Sequence, residues 1–432
     1  MKLVILAGGR GTRMGDLARD LPKPMVPIAG RPILDHQLDI AARHGIREVI
    51  LLTGHLGDVI ERHVGNGERF GLNVRSIRES APLGTAGAVK AIASELNEDF
   101  LVFYGDTIFD LDLDALIAHH RAMNSAATLV VHPNDHPFDS DLVEMDDDTR
   151  VTAVHRKPHE EGRCYHNLVS AALYVLSPKV LETLRPGVSC DFGRDVFPYL
   201  ATHAAPIYAW NTPEYIKDVG TPHRHGEVQQ DILTGKVARL NRRNPRPAIF
   251  LDRDGVINED APDMIRRPED FQLLPGVAEA IKRINKSGYL AVVATNQPMI
   301  AKGYATEADL DAIHAKMEWQ LGEAGAFVDR IYHCPHHPER GFPGERVELK
   351  IACDCRKPGI GMVTRAAAEL NIDLSRSYFI GDRTVDIETG RRAGLKTILV
   401  KTGQAGGDGK CNVQPDAIVD DLSKAVREGC RV

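Results

Sequence analysis

The stretch Ala248-Ile249-Phe250-Leu251-Asp252-Arg253-Asp254-Gly255 decides how this chain is read. A short apolar run ends in two aspartates one residue apart, then a glycine. Such a run reads as a buried parallel strand. Its aspartates emerge at the carboxyl end, where open α/β sheets hold their ligands. Alternate residues of a strand share a face, so both carboxylates can reach one substrate if the strand persists. An Asp-rich turn would give the same spacing, and the chain downstream decides between the two.

Composition narrows the classes first. The chain has 432 residues, 43% hydrophobic and 26% charged, which fits roughly two or three soluble domains. Its formal net charge of −7 argues against general nucleic-acid binding. Anionic substrates must then be held by local Lys, Arg and backbone N–H groups. The apolar start from Lys2 to Ala7 meets Arg10 and Arg13 at once and is too short for a signal peptide. No run approaches the ~20 apolar residues that cross a membrane. The expectation is a cytoplasmic enzyme with neither membrane nor nucleic-acid partners; oligomeric state is not legible. The seven cysteines are an odd number, and three fall between Cys334 and Cys355, which suggests metal rather than disulfides.

Downstream of Asp254, residues 276–287 read as a helix closed by Gly288. Leu290 to Ala294 reads as a strand ending in Thr295-Asn296-Gln297, whose hydroxyl and amides suit phosphoryl oxygens. Thr306 and Asp309 open a second helix as a capping box. Arg356-Lys357-Pro358 precedes another helix, and Tyr378 to Ile380 is a strand running into Gly381-Asp382-Arg383, with Asp386 four residues beyond Asp382. The order Asp252, Thr295, Lys357, Asp382 resembles the four motifs of the haloacid dehalogenase-like phosphatases. That resemblance implies a parallel Rossmann-like sheet. It makes Asp252 the nucleophile that forms an aspartyl-phosphate. Asp254 becomes the acid and later the base, with a pKa nearer neutrality than a free carboxyl's. Thr295, Asn296, Gln297, Arg356 and Lys357 surround the phosphate. Mg²⁺ falls to Asp252, Asp254 and Asp382, with Asp386 in support.

Cys334-Pro335-His336-His337-Pro338 and Cys353-Asp354-Cys355 supply three thiolates and an imidazole. This set fits a tetrahedral structural Zn²⁺ with His336 or His337 as fourth ligand. Together with Ala301-Lys302-Gly303-Tyr304, these runs resemble the D-glycero-D-manno-heptose 1,7-bisphosphate 7-phosphatases, and the resemblance selects His336. Histidinol-phosphate phosphatases share much of the pattern. The chain departs from it at Asn296-Gln297-Pro298-Met299 and over residues 260–264.

The first half is organised by another glycine-rich turn. A strand from Lys2 to Ala7 enters Gly8-Gly9-Arg10-Gly11-Thr12-Arg13. Glycines let backbone N–H groups close on phosphate oxygens, and Arg13 adds a fork of donors. Pro22-Lys23-Pro24 fixes one lysine. Pro82-Leu83-Gly84-Thr85-Ala86-Gly87 opens a helix after a strand, and Phe100 to Tyr104 ends in Gly105-Asp106, a suitable Mg²⁺ ligand. With Arg156-Lys157-Pro158 and Asp218-Val219-Gly220-Thr221-Pro222 downstream, these motifs resemble the sugar-1-phosphate nucleotidyltransferases. The resemblance implies Gly8, Gly9, Gly11, Thr12, Arg13 and Lys23 on nucleotide phosphates and Gly84, Thr85 and Gly87 near the base. It puts Lys157 on the sugar phosphate and Mg²⁺ on Asp106 and Asp218. Ala171-Ala172-Leu173-Tyr174 departs from the family, which usually carries a glycine there.

The expected architecture is α/β with two domains, each a mostly parallel Rossmann-like sheet covered by helices. Residues 1–235 form the transferase, 236–247 a polar linker and 248–432 the phosphatase with its zinc loop. The two halves explain each other: dephosphorylating a heptose 1,7-bisphosphate at C7 leaves the 1-phosphate that a nucleotidyltransferase, with GTP favoured by resemblance to guanylyltransferases, would activate. The alternatives are a histidinol-phosphate phosphatase, or a phosphatase regulated by a non-catalytic nucleotide-sensing domain.

Overall fold

In the computed structural model every residue is described except 10, 11, 204, 262, 263 and 431. The chain divides into two units. Unit 1 comprises residues 1–132, 140–157 and 168–241; unit 2 comprises 133–139, 158–167 and 242–432.

Unit 1 is built on the strand Leu3–Ala7, whose side chains are almost all buried. It pairs in parallel with Glu48–Thr53 on one side and Phe100–Tyr104 on the other. Asn73–Arg78 extends the sheet beyond Glu48–Thr53, also in parallel. The helices Ile33–Arg43, Gly57–Val64 and Gly84–Ala91 connect these strands, as right-handed crossovers between parallel strands require. Beyond Phe100–Tyr104 the sheet turns antiparallel at Val169–Leu176. The apolar run from Ala171 to Leu176 carries no mark of direction, so this reversal was not foreseen. Val169–Leu176 also pairs with Ala127–His132, and its register slips between Ser170 and Tyr174. Inside that bulge Ala172 has φ +56°. A left-handed conformation favours glycine, the residue whose absence the sequence comparison noted here.

Unit 2 holds a six-stranded sheet that is parallel throughout. Ala248–Leu251 lies inside it, wholly buried, between Leu290–Asn296 and Tyr378–Gly381. The chain builds outward in one direction through Arg330–Cys334, then returns to build the other way through Lys396–Val400 and Ala417–Val419. The reversal leaves a crevice between Ala248–Leu251 and Tyr378–Gly381, where ligands of such sheets bind. Helix Val277–Lys286 buries Val277, Ala280, Ile281 and Ile284, one helical face. Helix Glu307–Glu323 starts on the expected capping box, with both reciprocal bonds formed by Thr306 and Asp309.

The stretch 236–247 is not free chain. Lys236–Arg239 is a helical turn, and Val237 and Leu240 join an apolar cluster of unit 1. Asn241 donates to Asp110 at 2.9 Å. In unit 2 the Arg246 backbone is bonded to Asn371 and Asp373. The two apolar residues among the basic ones anchor it, a spacing too sparse to register as periodicity.

Candidate active sites

In unit 2 the crevice gathers charge. Asp252 leaves the end of Ala248–Leu251, and its backbone N–H donates to the Ile380 carbonyl of the neighbouring strand. Asp382 leaves the end of that neighbour. Asp252, Asp382 and Asp386 are all buried, and each offers a carboxylate oxygen within 4.8 Å of the others. Lys357 enters between them: its Nζ lies 2.8 Å from Asp252 and 2.6 Å from Asp386. Burial and the facing Asp252 and Asp386 push the Asp382 carboxyl up to about 8. Burial likewise raises Asp386, to about 6, against the pull of Lys357. Among the described residues Asp382 Oδ1 has no hydrogen-bond partner, although it is buried. Crowded carboxylates with one oxygen unsatisfied are the donor set that a hard divalent cation completes. Small residues make the room. A methyl on Gly255 would stand 2.5 Å from Asp382 Oδ2, and one on Gly403 would come closer still.

Several of the expected residues have other partners. Asp254 does not join the metal cluster. Arg253 grips it at 2.8 and 3.0 Å, Asn258 at 3.0 Å and Gln297 at 2.9 Å. Burial would raise its carboxyl, but the Arg253 guanidinium and these donors outweigh it and hold the pKa below the usual value, not near neutrality as expected. The Asn296 amide bonds both the N–H and the carbonyl of Lys357, at 2.9 and 3.2 Å, and so places the lysine. Gln297 spans Thr295 Oγ1 and Asp254. Arg356 donates to the His336 carbonyl at 3.1 Å. The Gly-rich stretch from Gln404 to Lys410 is tied to Asp382 by the N–H groups of Gln404 and Gly406, each at 2.7 Å. Arg253, wholly buried between the two aspartates, was missed; a charged residue inside a buried motif was its one signal. Pro262 and Asp263 of the loop 260–264 lie outside the described residues.

Cys334, His336, Cys353 and Cys355 converge, with one ligand atom of each within 4.8 Å of the rest. Their sulfurs lie 3.1 to 3.6 Å apart and His336 Nδ1 lies 3.3 Å from Cys355. Metal–sulfur bonds of ~2.3 Å in a tetrahedron require S···S edges of about 3.8 Å, close to this spacing, whereas a disulfide requires about 2 Å. His337 turns away and accepts no place in the cluster; its Nδ1 meets the Glu339 carbonyl.

In unit 1, Lys23 is buried and pairs with Asp106 at 2.5 Å. Asp218 ends the strand Tyr215–Asp218, which pairs with Thr107–Asp110, so the two carboxylates leave adjacent strands. Arg224, which the sequence reading missed, holds Asp218 at 2.7 and 2.9 Å. Two carboxylates suit Mg²⁺ in a phosphate site; here each already faces one cation. Arg13 is exposed, and a methyl on Gly220 would stand 3.8 Å from its guanidinium. Lys157 is exposed, with its N–H donating to Asp141. Gly9 has open space where a Cβ would stand, whereas a methyl on Gly8 would strike Glu79 at 2.7 Å. Gly84 and Gly87 have a packing reason: methyls there would meet the Cys190 and Val188 carbonyls at 2.6 and 2.8 Å. Thr85 bonds Asp191 through its N–H and hydroxyl. Gly11 lies outside the described residues, as does the Thr12 side chain.

Comparison with known proteins matches the two halves of the sequence separately. The family profile described as nucleotidyl transferase matches residues 2–235, and one described as HAD-hydrolase-like matches 354–425. A D-glycero-beta-D-manno-heptose-1,7-bisphosphate 7-phosphatase of Haemophilus ducreyi is 41% identical over 180 residues, 40% of this chain and 96% of that protein. The corresponding 7-phosphatase of Thermosynechococcus vestitus is 40% identical over 193 residues, 43% of this chain and 96% of its own. A solved structure of HddC from Yersinia pseudotuberculosis complexed with GMP-PN is 28% identical, covers 54% of this chain and 99% of its own, and has a TM-score of 0.47.

Proposed function

Because the chain belongs to the nucleotidyl transferase family in its first half and to the heptose-1,7-bisphosphate 7-phosphatases in its second, we propose that one polypeptide removes the C7 phosphate of D-glycero-D-manno-heptose 1,7-bisphosphate and then joins the resulting 1-phosphate to a nucleotide, GTP by preference. The observation that carries the proposal is the pairing of Lys357 with both Asp252 and Asp386 at the reversal point of the unit 2 sheet.

A carboxylate oxygen of Asp252 attacks phosphorus, and the sugar oxygen leaves with a proton from Asp254. Water then attacks the aspartyl-phosphate and gives its proton back to Asp254. Resting Asp254 is held as a carboxylate by Arg253, the form needed for the second step; a dianionic phosphate entering beside it raises its proton affinity for the first. Lys357, 2.8 Å from Asp252, neutralises phosphoryl charge. Asp252, Asp382 and Asp386 would hold Mg²⁺, which supplies charge neutralisation at the transferring phosphoryl group. Cys334, His336, Cys353 and Cys355 would hold a Zn²⁺ with no open position, so its part is to fold the loop that ends at Lys357.

In unit 1 a sugar phosphate oxygen attacks the α-phosphorus and pyrophosphate leaves. Arg13, Lys23 and Lys157 supply alignment and neutralise spreading charge, and Asp106 and Asp218 would hold Mg²⁺. Glu79 supports the choice of base. Its carboxylate lies against Gly8 and is raised by burial, although the Leu83 N–H stabilises its charge. A carboxylate within reach of the base favours a donor pair, and guanine offers N1–H and N2–H₂ on one edge. The test is pyrophosphate release from heptose 1-phosphate with GTP, ATP, CTP and UTP in turn. GTP should lead, and Glu79→Gln should narrow its lead; equal rates with all four would remove the guanine assignment.

A further inference from the structure

Unit 2 contains two segments from the first half of the sequence, residues 133–139 and 158–167. They are tied to each other: the Asn134 N–H donates to Asn167 Oδ1 at 3.1 Å, and Asn167 Nδ2 returns a bond to the Asn134 carbonyl at 2.7 Å. Both pack on helix Glu307–Glu323. Trp319 meets the rings of Phe138, Tyr165 and His159 at 4.4, 5.6 and 6.0 Å. Gly322 sits inside this helix, where glycine is unfavourable, and a methyl there would stand 2.8 Å from Pro137. The helix is therefore fitted to the segments.

The polar centre of the contact is His166. Its Nδ1 lies 2.6 Å from Glu318 and its Nε2 3.1 Å from Asp311. Although burial opposes the charge, the two carboxylates hold the imidazole up to about 10, so it is a standing cation. Asp311, His314 and Glu318 are spaced by three and four residues and share a helix face. His314 is buried, and its Nε2 faces Arg253 Nη1 at 3.4 Å. Burial, followed by the Arg253 charge, holds His314 neutral, able to accept from the guanidinium. Arg253 in turn grips Asp254 and Gln297.

We infer that His166 is a positioning residue for phosphate release: it fixes helix Glu307–Glu323 through Asp311 and Glu318, so that His314 holds Arg253, and Arg253 holds Asp254 at the phosphate. A residue of the first half of the chain thus completes the site of the second. The 7-phosphatase relatives align over only 40 to 43% of this chain. The inference rests on the phosphatase reading of unit 2.

Its test is steady-state phosphate release from the heptose bisphosphate by the full chain with Mg²⁺, in His166→Ala, His314→Ala, the double variant and His166→Arg. His166→Ala should lower kcat about tenfold with KM within about twofold, since misplacing a group by a fraction of an ångström costs rate more than binding. The double variant should lose little more than His314→Ala alone, because both act along one line. His166→Arg, a cation with two donors for the same carboxylates, should recover much of the rate. Pyrophosphate release should be unchanged throughout. A wild-type kcat in His166→Ala, a loss that merely adds to that of His314→Ala, or a lower melting temperature with unaltered kcat would each overturn the positioning role. No phosphate release by the wild-type chain would instead remove the phosphatase reading itself.

Discussion

Asp382→Asn should make the metal-free protein more stable while abolishing phosphate release. The Asp382 carboxyl is displaced from 3.8 to about 8 by burial and by Asp252 and Asp386. A raised carboxyl means that the folded state binds a proton which the unfolded state has released. Stability therefore falls as pH rises from about 4, and the loss is complete only above about 8. At about 1.4 kcal/mol per tenfold change in acidity, the displacement sets a ceiling of ~6 kcal/mol. Asp252 and Asp386 share the same repulsion and Lys357 offsets part of it, so about 2 kcal/mol is the expected share of Asp382. For a unit of this size that is roughly 4–8 °C. Calorimetry in EDTA at pH 8 should show the unit 2 transition of Asp382→Asn above that of wild type, and the gap should shrink at pH 5. Millimolar Mg²⁺ should reverse the order, because only the intact triad gains from the cation. A variant that melts at or below wild type in EDTA at pH 8 would refute the claim that these carboxylates repel one another in the absence of metal.

Asp252→Asn should abolish phosphate release, an amide being a far poorer nucleophile, and leave pyrophosphate release on supplied heptose 1-phosphate intact; appreciable phosphate from the purified variant would exclude Asp252 as nucleophile. Asp106→Ala should do the converse, so that heptose 1-phosphate accumulates from the bisphosphate, as mass spectrometry of the products would show. Cys353→Ser should lose about one zinc per chain by elemental analysis and weaken phosphatase activity alone; a fully active wild-type protein with no transition metal would contradict the cluster. Ala172→Gly should raise the melting point of unit 1, by about 1 kcal/mol of released left-handed strain, and an unchanged or lowered transition would show that the bulge tolerates a Cβ.

Much of this was legible because it is local. The run before Asp252, the capping box at Thr306 and the Cys/His spacing all declare themselves within a few residues, and Asp382 recurs at the next strand end as a parallel sheet demands. What stayed hidden depends on partners far along the chain. The proton affinity of Asp254 is set by Gln297 as well as Arg253, and nothing near Asn296 in sequence announces its bonds to Lys357. Gly84 and Gly87 suggest a ligand's close approach, yet carbonyls about a hundred residues on fill the space. The segments around Pro137 and His166 have the polar, proline-broken composition of surface loops. Only the Gly322 within an otherwise strong helix hinted that something packs there.

The most direct measurement incubates the full chain with D-glycero-D-manno-heptose 1,7-bisphosphate, Mg²⁺ and each nucleoside triphosphate in turn, and identifies the products by mass. The bifunctional account predicts one equivalent each of phosphate and pyrophosphate, and a nucleotide-heptose carrying no C7 phosphate, formed fastest with GTP. Release of phosphate without any nucleotide-sugar, whichever triphosphate is supplied, would contradict it.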